Sequence, residues 1–543
     1  MWGFSATAQT PPDAGRVLQE TRPSEPSPIS STVPNLEVPK RTAQVAPAAA
    51  GDVRVNVTNF TFSGNSALSN EILEVAVKPW SGRAVNYGEL VQASEAVEAR
   101  YKAAGYFLAE AYLPPQKIRD GAIEIVITEG RLAETRLEGE SRVAPNVLYR
   151  YLDRLPKEQA LRLPLLERQI LLVNELAGGQ ATLDLQASDK PGSTDVVLTQ
   201  KADDRVNGRL EANNYGAPST GKRRLGLALS ANSLFKQGER ISLIALSSEN
   251  GGLVSYNLRG ELPVGGDGWH LTAGASRAEY SLGGSFAALK ASGTADSIRI
   301  GAAHPILRSR AANIRALLDV DQSKLTDKFQ TSGILLDKQS RGITATLSGD
   351  VIDDWMGGGS SRADLALRSG VIRLGTTAAA NDTPPAGPGA AGHFSKMNLT
   401  VQRQQAFTKE VSLQAVLTGQ MASKNLDSSE KLGLGGPTTL PGYANGEAVA
   451  DSGGYIKLGV NWQALPHLVL TAFSDYARVK LAHDPLPGVP KNTKKLTDYG
   501  ISGDWTLGKQ FNARAIVAWA GDEAPNPVDN AKPRLWLNLA YAW

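Results

Sequence analysis

The sequence predicts two small α+β units followed by a sixteen-stranded antiparallel β-barrel that spans a membrane. From Arg205 onward, apolar and polar side chains alternate along a series of segments, as in strands with one lipid face and one lumen face. Turns after the even-numbered segments are short, whereas most loops after the odd-numbered ones are longer, which is typical of outer-membrane barrels. No apolar run approaches the ~18 residues of a transmembrane helix. A chain of this kind can therefore cross a membrane only as a closed barrel.

The first fifty residues predict no compact domain. Residues 6–9 (Ala-Thr-Ala-Gln) have the small-x-small pattern of a cleavage site and indicate the remnant of an export signal, although a chance alanine-rich start fits them equally. Residues 13–20 predict a short helix with a small apolar patch. The segment from Pro23 to Ala50 is rich in proline, serine and alanine, which is typical of a flexible linker.

The two α+β units are predicted over residues 51–130 and 131–204, each with the order β-α-α-β-β. In the first unit, a helix capped by Ser69 follows the first strand, and a second helix ends at Gly105. Its last two strands are expected at 106–113 and 122–128.

Each small sheet should leave one strand edge unpaired, and such an edge can accept a strand from another protein. The short strands 106–113 and 181–186 are the candidate edges, because each follows a helix. Within the second of them, Thr182, Leu183 and Leu185 are the candidate partner-binding residues.

The barrel is predicted over residues 205–543, with its longest loop at 427–453. Its strands are expected at 206–216, 223–234, 238–250, 253–264, 268–282, 292–307, 312–325, 340–355, 359–375, 392–407, 411–426, 454–465, 468–481, 494–507, 511–521 and 534–543. The alanine-rich stretch 376–392 is expected to be a mobile external loop.

The last strand shows the alternation most clearly, and Trp536 is its exception. Leu539, Tyr541 and Trp543 should share one apolar face. We expect this face and its terminal aromatic residue to be the signal by which the barrel is recognised and assembled.

Composition excludes several classes of function. A net charge of +3 over 543 residues gives no electrostatic case for nucleic-acid binding. The five histidines are scattered without the spacing of a metal site, so no metal or cofactor is predicted. No catalytic motif is present, and the protein is not expected to be an enzyme. The absence of cysteine fits an oxidising compartment, whereas an aromatic content of 6% is low for full interfacial girdles.

Two short motifs lie within the predicted barrel. The first lies in the longest loop and consists of Gly435, Gly436, Leu440, Pro441, Gly442 and Tyr443. The second is Phe473-Ser474-Asp475-Tyr476-Ala477 on a strand, with Phe473 and Asp475 as its key residues.

With these motifs, the whole plan resembles the transporters of two-partner secretion, the haemolysin and filamentous-haemagglutinin exporter family. Its α+β units are called POTRA domains, and an N-terminal helix can plug the barrel. In that family the loop folds back into the lumen and carries Val-Arg-Gly-Phe or Tyr. A lumen-facing strand carries Phe-x-Asp-x-Gly, and the arginine pairs with the aspartate inside the barrel. Here Pro441 replaces the arginine and Ala477 replaces the last glycine, so Asp475 lacks the usual partner.

The resemblance implies an outer-membrane protein with POTRA domains in the periplasm. They would bind an unfolded secreted partner, a large β-helical adhesin or haemolysin, which then leaves through the pore. Other expected partners are outer-membrane lipids and the barrel-assembly machinery. The alternatives are an outer-membrane assembly factor of the BamA type, which usually has more POTRA units, and a passive porin or receptor.

Overall fold

The computed structural model describes residues 11–22, 54–190, 192–385, 387–485, 491–521 and 532–543. The cleavage-like residues 6–9 and the linker lie outside the described residues. A short helix, α1 (Ala14–Thr21), is present at the expected position and begins after Asp13, whose carboxylate accepts a hydrogen bond from the N–H of Arg16 at 3.0 Å.

The first α+β unit packs two helices against a three-stranded sheet of order β2-β5-β4, in which β2 and β5 are parallel. Alternation in β5 sends Ile123, Ile125 and Ile127 into the core, where they meet Tyr101 of α3. The elements are β1 (Val55–Val57), β2 (Asn59–Ser63), α2 (Asn70–Val77), β3 (Arg83–Val85), α3 (Tyr87–Ala103), β4 (Glu110–Tyr112) and β5 (Ala122–Thr128).

The second α+β unit has the same plan, with sheet order β6-β8-β7 and β7 at one edge. Leucine side chains from both helices and all three strands fill its core. The elements are β6 (Arg131–Glu140), α4 (Pro145–Leu152), α5 (Leu163–Val173), β7 (Gly179–Ala187) and β8 (Ser193–Ala202).

The predicted sixteen-stranded antiparallel barrel is confirmed, and it closes where the last strand, β26, pairs with the first, β9. Closure leaves no strand edge exposed to lipid. The barrel strands are β9 (Val206–Asn213), β10 (Arg224–Asn232), β11 (Arg240–Ser248), β12 (Leu253–Val264), β13 (Trp269–Ser281), β14 (Ala291–Arg308), β15 (Ala312–Phe329), β16 (Ile334–Asp353), β17 (Gly359–Leu374), β18 (Gly392–Ala406), β19 (Val411–Ala422), β22 (Ser452–Leu465), β23 (Leu468–Lys480), β24 (Thr493–Leu507), β25 (Phe511–Ala520) and β26 (Arg534–Ala542). Between β19 and β22 lie two short strands, β20 (Leu432–Leu434) and β21 (Ala448–Ala450).

Side-chain direction follows the alternation in the sequence. On β15, Leu318 and Val320 are about half exposed on the outer face, whereas Asp321 and Asp327, further along the strand, are buried inside. A strand that alternates in this way can contact lipid on one side and a polar lumen on the other.

Three local expectations were wrong. The hairpin after β15 extends further than expected, because the backbone pairing continues from Thr326↔Asp337 to Phe329↔Ile334, past the point where the regular apolar–polar alternation of the sequence stops. The strand expected at 106–113 is reduced to β4, since Phe107 and Leu108 pack against the core of the second unit. The stretch expected to be a mobile loop contains helix α6 (Thr376–Asp382), in which Ala378 is buried.

The second α+β unit contacts the short turns at one mouth of the barrel. Arg308, at the end of β14, forms a buried ion pair of 2.6 Å with Glu175. The N–H of Ala177 donates to the carbonyl oxygen of Gly238 in the first short turn at 3.0 Å. These contacts place the second sheet directly beside the mouth.

Candidate functional site

The loop 427–453 folds back into the barrel lumen. Strands β20 and β21 pair as a hairpin, and the tip beyond them packs against the inner wall of β23 and β24. Leu440 and Tyr443 are completely buried there. The structure thus brings the loop motif and the lumen-facing strands into one site.

Hydrogen bonds to the barrel wall anchor the tip. The N–H of Gly442 donates to Asp498 on β24 at 2.6 Å. The hydroxyl of Tyr443 donates to the carbonyl oxygen of Thr497 at 2.9 Å. The indole N–H of Trp536 on β26 donates to the carbonyl oxygen of Pro441 at 2.8 Å. Two of these bonds use backbone groups of the loop, so they do not depend on the side chain at position 441.

Glycine is required at the tip for steric reasons. A Cβ on Gly442 would lie 2.6 Å from the Cβ of Asp498 and 2.8 Å from the carbonyl oxygen of Trp519. Gly435 and Gly436 have φ angles of +98° and +89°, which residues with a side chain rarely adopt. The Gly-Gly motif therefore makes the sharp turn that precedes the tip.

Asp475 lies below the tip, in a cavity that Pro441 also lines. It is 2% exposed, and neither of its carboxylate oxygens has a hydrogen-bond partner. Its cross-strand neighbours are Asp498 on β24 and Lys457 on β22, but the Lys457 ammonium donates instead to the carbonyl oxygen of Thr438 at 3.1 Å. Position 441 thus lies beside the carboxylate with which the family arginine would pair.

Phe473, the other residue of the strand motif, shares the inner wall with Asp475. It packs against the cluster of Ile516, Ala518 and Trp536. The motif strand therefore supports the same part of the wall that receives the loop tip.

The base of the loop carries an ion-pair network that sequence analysis missed. The Glu430 carboxylate lies 3.0 Å from both Arg368 on β17 and Lys396 on β18. Arg368 also contacts Asp321 on β15 at 2.5 Å. Because all four side chains are nearly buried, the network fixes the loop strongly. The only signal in the sequence was that three of them occupy inward positions on their strands.

Helix α1 also lies in the lumen, between the wall and the loop. The N–H of Ala14 donates to Asp327 at 2.7 Å, and Asp13 pairs with Lys338 at 3.0 Å. On the loop side, Arg16 donates to the carbonyl oxygen of Asn445 at 2.6 Å. The helix therefore contacts both the wall and the tip of the loop.

In the second α+β unit, the geometry defines which backbone groups on β7 are open. Both side-chain amide groups of Asn174 bond to Ala181, donating to its carbonyl oxygen at 3.0 Å and accepting from its N–H at 2.7 Å. The backbone of Ala181 thus points away from β8. Because backbone direction alternates along a strand, the N–H and C=O groups of Leu183 and Leu185 point the same way. The side chain of Thr182 is exposed, whereas those of Leu183 and Leu185 lie in the core.

The last strand places its apolar residues outward. Leu539 and Trp543 are 61% and 48% exposed on the outer face, and Tyr541 stacks on Trp543. Trp543 exchanges two backbone hydrogen bonds with Gly208 of β9, at 3.1 and 3.0 Å. A side chain at position 208 would collide with the Trp543 ring, so these two residues fit together at the closing seam.

The described residues hold neither a membrane-spanning helix nor a metal-ligating cluster. None of their helices is long and apolar enough to cross a membrane. They also contain no group of three or more histidine, cysteine, aspartate or glutamate side chains arranged to hold a metal ion.

A closed barrel with a loop and a helix folded into its lumen, and with two α+β units on the chain before it, defines a POTRA-bearing outer-membrane transporter. The chain belongs to the family described as haemolysin secretion/activation protein ShlB/FhaC/HecB, whose model matches residues 192–485. The model described as POTRA domain, ShlB-type, matches residues 55–130.

Curated relatives cover most of the chain. The heme/hemopexin transporter protein HuxB of Haemophilus influenzae (strain 86-028NP) is 25% identical over 491 residues, covering 88% of this chain and 84% of the relative. The outer membrane transporter CdiB of Escherichia coli O6:K15:H31 is 23% identical over 422 residues, covering 76% and 70%.

Solved structures show the same fold. CdiB from Escherichia coli has a TM-score of 0.74 at 18% identity, covering 95% of this chain and 94% of that one. BamA from Haemophilus ducreyi, lacking POTRA domains 1–3, has a TM-score of 0.54 at 11% identity, covering 90% and 100%. That likeness shows a shared fold alone.

The protein is therefore an outer-membrane transporter whose POTRA domains face the periplasm and whose barrel exports a partner protein. The members of its family are transporters. The alternative of an assembly factor of the BamA type is not favoured.

Proposed function

We propose that the transporter binds its partner in an unfolded state, as an added strand on the open edge of β7, before the partner enters the lumen. The partner is a large secreted β-helical adhesin or haemolysin, which folds outside the cell. The carrying observation is the unpaired backbone of Leu183 and Leu185, whose direction follows from the hydrogen bonds between Asn174 and Ala181. Strand addition uses backbone hydrogen bonds and so accepts many partner sequences.

The position of β7 supports this proposal. Its own unit contacts the barrel mouth through the buried pair of Arg308 and Glu175, at 2.6 Å, so a strand held there begins close to the lumen.

The opposite edge of the same sheet is less suitable. Strand β6 carries Arg131, Glu134, Arg136, Glu138 and Glu140, and its pairing with β8 shifts register between Leu132 and Thr135. Charged side chains and bulges are the devices by which edges resist strand addition. On β7, Asp184 is the only charged residue within Gly179–Ala187.

Passage of the partner requires α1 and the loop tip to leave the lumen. Helix α1 and the loop tip share the contact between Arg16 and Asn445, so the displacement of one removes a support of the other.

The barrel itself reaches the membrane through the assembly machinery, which we propose recognises the outward face of Leu539, Tyr541 and Trp543.

The test compares Leu183→Pro with Leu183→Ala. Both variants lose the leucine side chain from the core, but only proline removes the outward N–H. Secretion of the partner into the medium should fall much further with proline than with alanine, at equal barrel abundance and with folding checked by circular dichroism.

If both Leu183 variants unfold, a second pair of variants at the exposed end of β7, Ala187→Pro and Ala187→Ser, makes the same comparison outside the core. Equal secretion within both pairs would contradict recruitment at this edge.

A further inference from the structure

The outer face of the barrel carries an unpaired basic cluster at its extracellular side, formed by Lys324 on β15, Arg341 on β16 and Arg373 on β17. All three side chains are exposed. They lie toward the β15–β16 turn, at the end of the barrel opposite to the mouth that contacts the second α+β unit. We propose that this cluster binds a phosphate-bearing lipid in the outer leaflet of the outer membrane.

Strand register brings the three cations together. Lys324 lies opposite Gln339 on β16, and Gln339 lies opposite Arg373 on β17. Arg341 is two residues further along β16, which makes it the diagonal neighbour of both other cations, at about 7–8 Å between backbones. Long side chains from these positions can converge on one headgroup.

The charges of the cluster are not used by the protein. Among the described residues, no ion pair or side-chain hydrogen bond involves Lys324, Arg341 or Arg373. Arg277 on the same face differs, because it pairs with Glu279 at 2.7 Å and with Asp296 at 3.3 Å. Three adjacent cations without counter-charges repel one another, so an anion at this position would lower the free energy.

The acidic groups nearby do not cancel the cluster. Asp296 lies opposite Lys324 in the register but is engaged by Arg277. Asp337 lies on the same strand as Arg341 and accepts a hydrogen bond from Thr326 at 2.8 Å. Neither carboxylate forms an ion pair with the cluster.

An apolar groove adjoins the cluster on its membrane side. Arg341 lines it together with Ile298, Val320, Ile343 and Val371. Ile298 and Val320 are 59% and 56% exposed. A groove of this composition fits an acyl chain, and Arg341 at its upper end would meet the attached headgroup.

The basic cluster and the apolar groove together favour a phosphate group that carries an acyl chain. Arginine can bind a phosphate through two parallel hydrogen bonds, and lysine adds a point charge. The groove gives a lipid an advantage that a free anion would not have. We therefore assign the site to a lipid phosphate, with free phosphate as the competing ligand in the test.

The experiment uses the full-length protein in nanodiscs of phosphatidylcholine, with and without diphosphorylated lipid A, and measures retained lipid by native mass spectrometry. Each charge removed by Lys324→Gln, Arg341→Gln or Arg373→Gln should lower lipid A affinity about fivefold, since one basic residue near an anionic surface contributes roughly that much. The control Arg403→Gln removes a cation that pairs with Asp353 on the outer face, away from the cluster, and should leave the affinity unchanged. Barrel folding is verified by heat-modifiable migration.

Three outcomes would overturn the proposal. The triple variant could retain lipid A like the wild type, or Arg403→Gln could lose as much affinity as the cluster variants, which would indicate general surface charge. Inorganic phosphate alone could bind as well as lipid A, which would make the site an anion site without a lipid. Retention that falls only with the cluster variants and resists inorganic phosphate would support it.

Discussion

The indole N–H of Trp536 donates a hydrogen bond of 2.8 Å to the carbonyl oxygen of Pro441. Trp536 is the residue that breaks the apolar alternation of the last barrel strand, and Pro441 stands where the resemblance to the family places an arginine. The two departures from pattern meet in the lumen, where one strand of the closing seam holds the tip of the loop.

We first predict that Trp536→Phe loosens the loop tip. The variant keeps an aromatic ring but leaves the buried Pro441 carbonyl without its donor, which should cost about 1–3 kcal/mol. Conductance in planar bilayers should become larger and noisier. Trp462→Phe, at an outward position, is the control and should behave like the wild type. Identical traces from all three proteins would show that this bond does not hold the tip.

The second prediction concerns an arginine introduced at position 441. Pro441→Arg keeps the backbone carbonyl that Trp536 uses and places a guanidinium in the cavity that holds the unpartnered Asp475. The new pair should stabilise the loop by about 1.5–3 kcal/mol, measured as a higher thermal midpoint and a lower conductance.

Combining Pro441→Arg with Asp475→Ala should cancel that gain. The double-mutant cycle isolates the coupling, since each single variant removes or adds only one partner. Additive effects in the cycle would mean that positions 441 and 475 do not interact.

The third prediction tests the closing seam. Removing Tyr541, Ala542 and Trp543 eliminates the backbone pairing between Trp543 and Gly208, as well as the outward aromatic pair. Heat-modifiable barrel should fail to accumulate in the outer membrane. Gly208→Leu should have the same effect because its side chain would collide with the Trp543 ring. Trp543→Phe, which keeps the pairing and an aromatic ring, should assemble, and normal levels of the truncated chain would contradict this role.

The fourth prediction separates export from conduction. A truncated chain of residues 205–543 keeps every barrel strand but lacks both α+β units and α1, so it should conduct ions and secrete nothing. The matched control lacks only residues 11–22, which removes α1 and leaves the units in place. This control should conduct more than the wild type and still secrete. Normal secretion by the barrel alone would favour a simple channel.

The fifth prediction concerns the pH dependence of the first α+β unit. The Glu129 carboxylate accepts hydrogen bonds from the N–H groups of Ser66 and Ala67, both at 2.6 Å, and from Tyr101 at 2.9 Å. Burial favours its neutral form, but the hydrogen bonds from Ser66 and Ala67 outweigh burial and hold the pKa of Glu129 below its ordinary value of 4.5.

A carboxylate with a lowered pKa stabilises the folded unit above its unfolded pKa, and this stability is lost as the pH falls through the folded value. Glu129→Gln should therefore lower the urea midpoint of the first unit at neutral pH. Hydrogen exchange of the backbone amides in α3 measures this midpoint. The difference from the wild type should shrink once the pH falls below 4.5. A constant difference at all pH values would show that the charge is not responsible. Glu95→Gln, at an exposed position of α3, is the control.

The sequence by itself determined the architecture. Period-two alternation dictates which side of a strand meets lipid, and the sixteen strands follow because each must satisfy its backbone within the membrane. Helical seams in the first 204 residues likewise specified the α+β units. These features are local, since each depends on neighbours within one element.

Only the tertiary structure decided how the lumen is filled and held. The contacts between Glu430 and Arg368, between Arg16 and Asn445, and between Trp536 and Pro441 join residues 62 to 429 positions apart. No spacing in the sequence encodes such pairs, because closure of the barrel is what brings distant strands together. For the same physical reason, the strand pattern alone does not explain Trp536, whose indole reaches the loop tip inside the lumen.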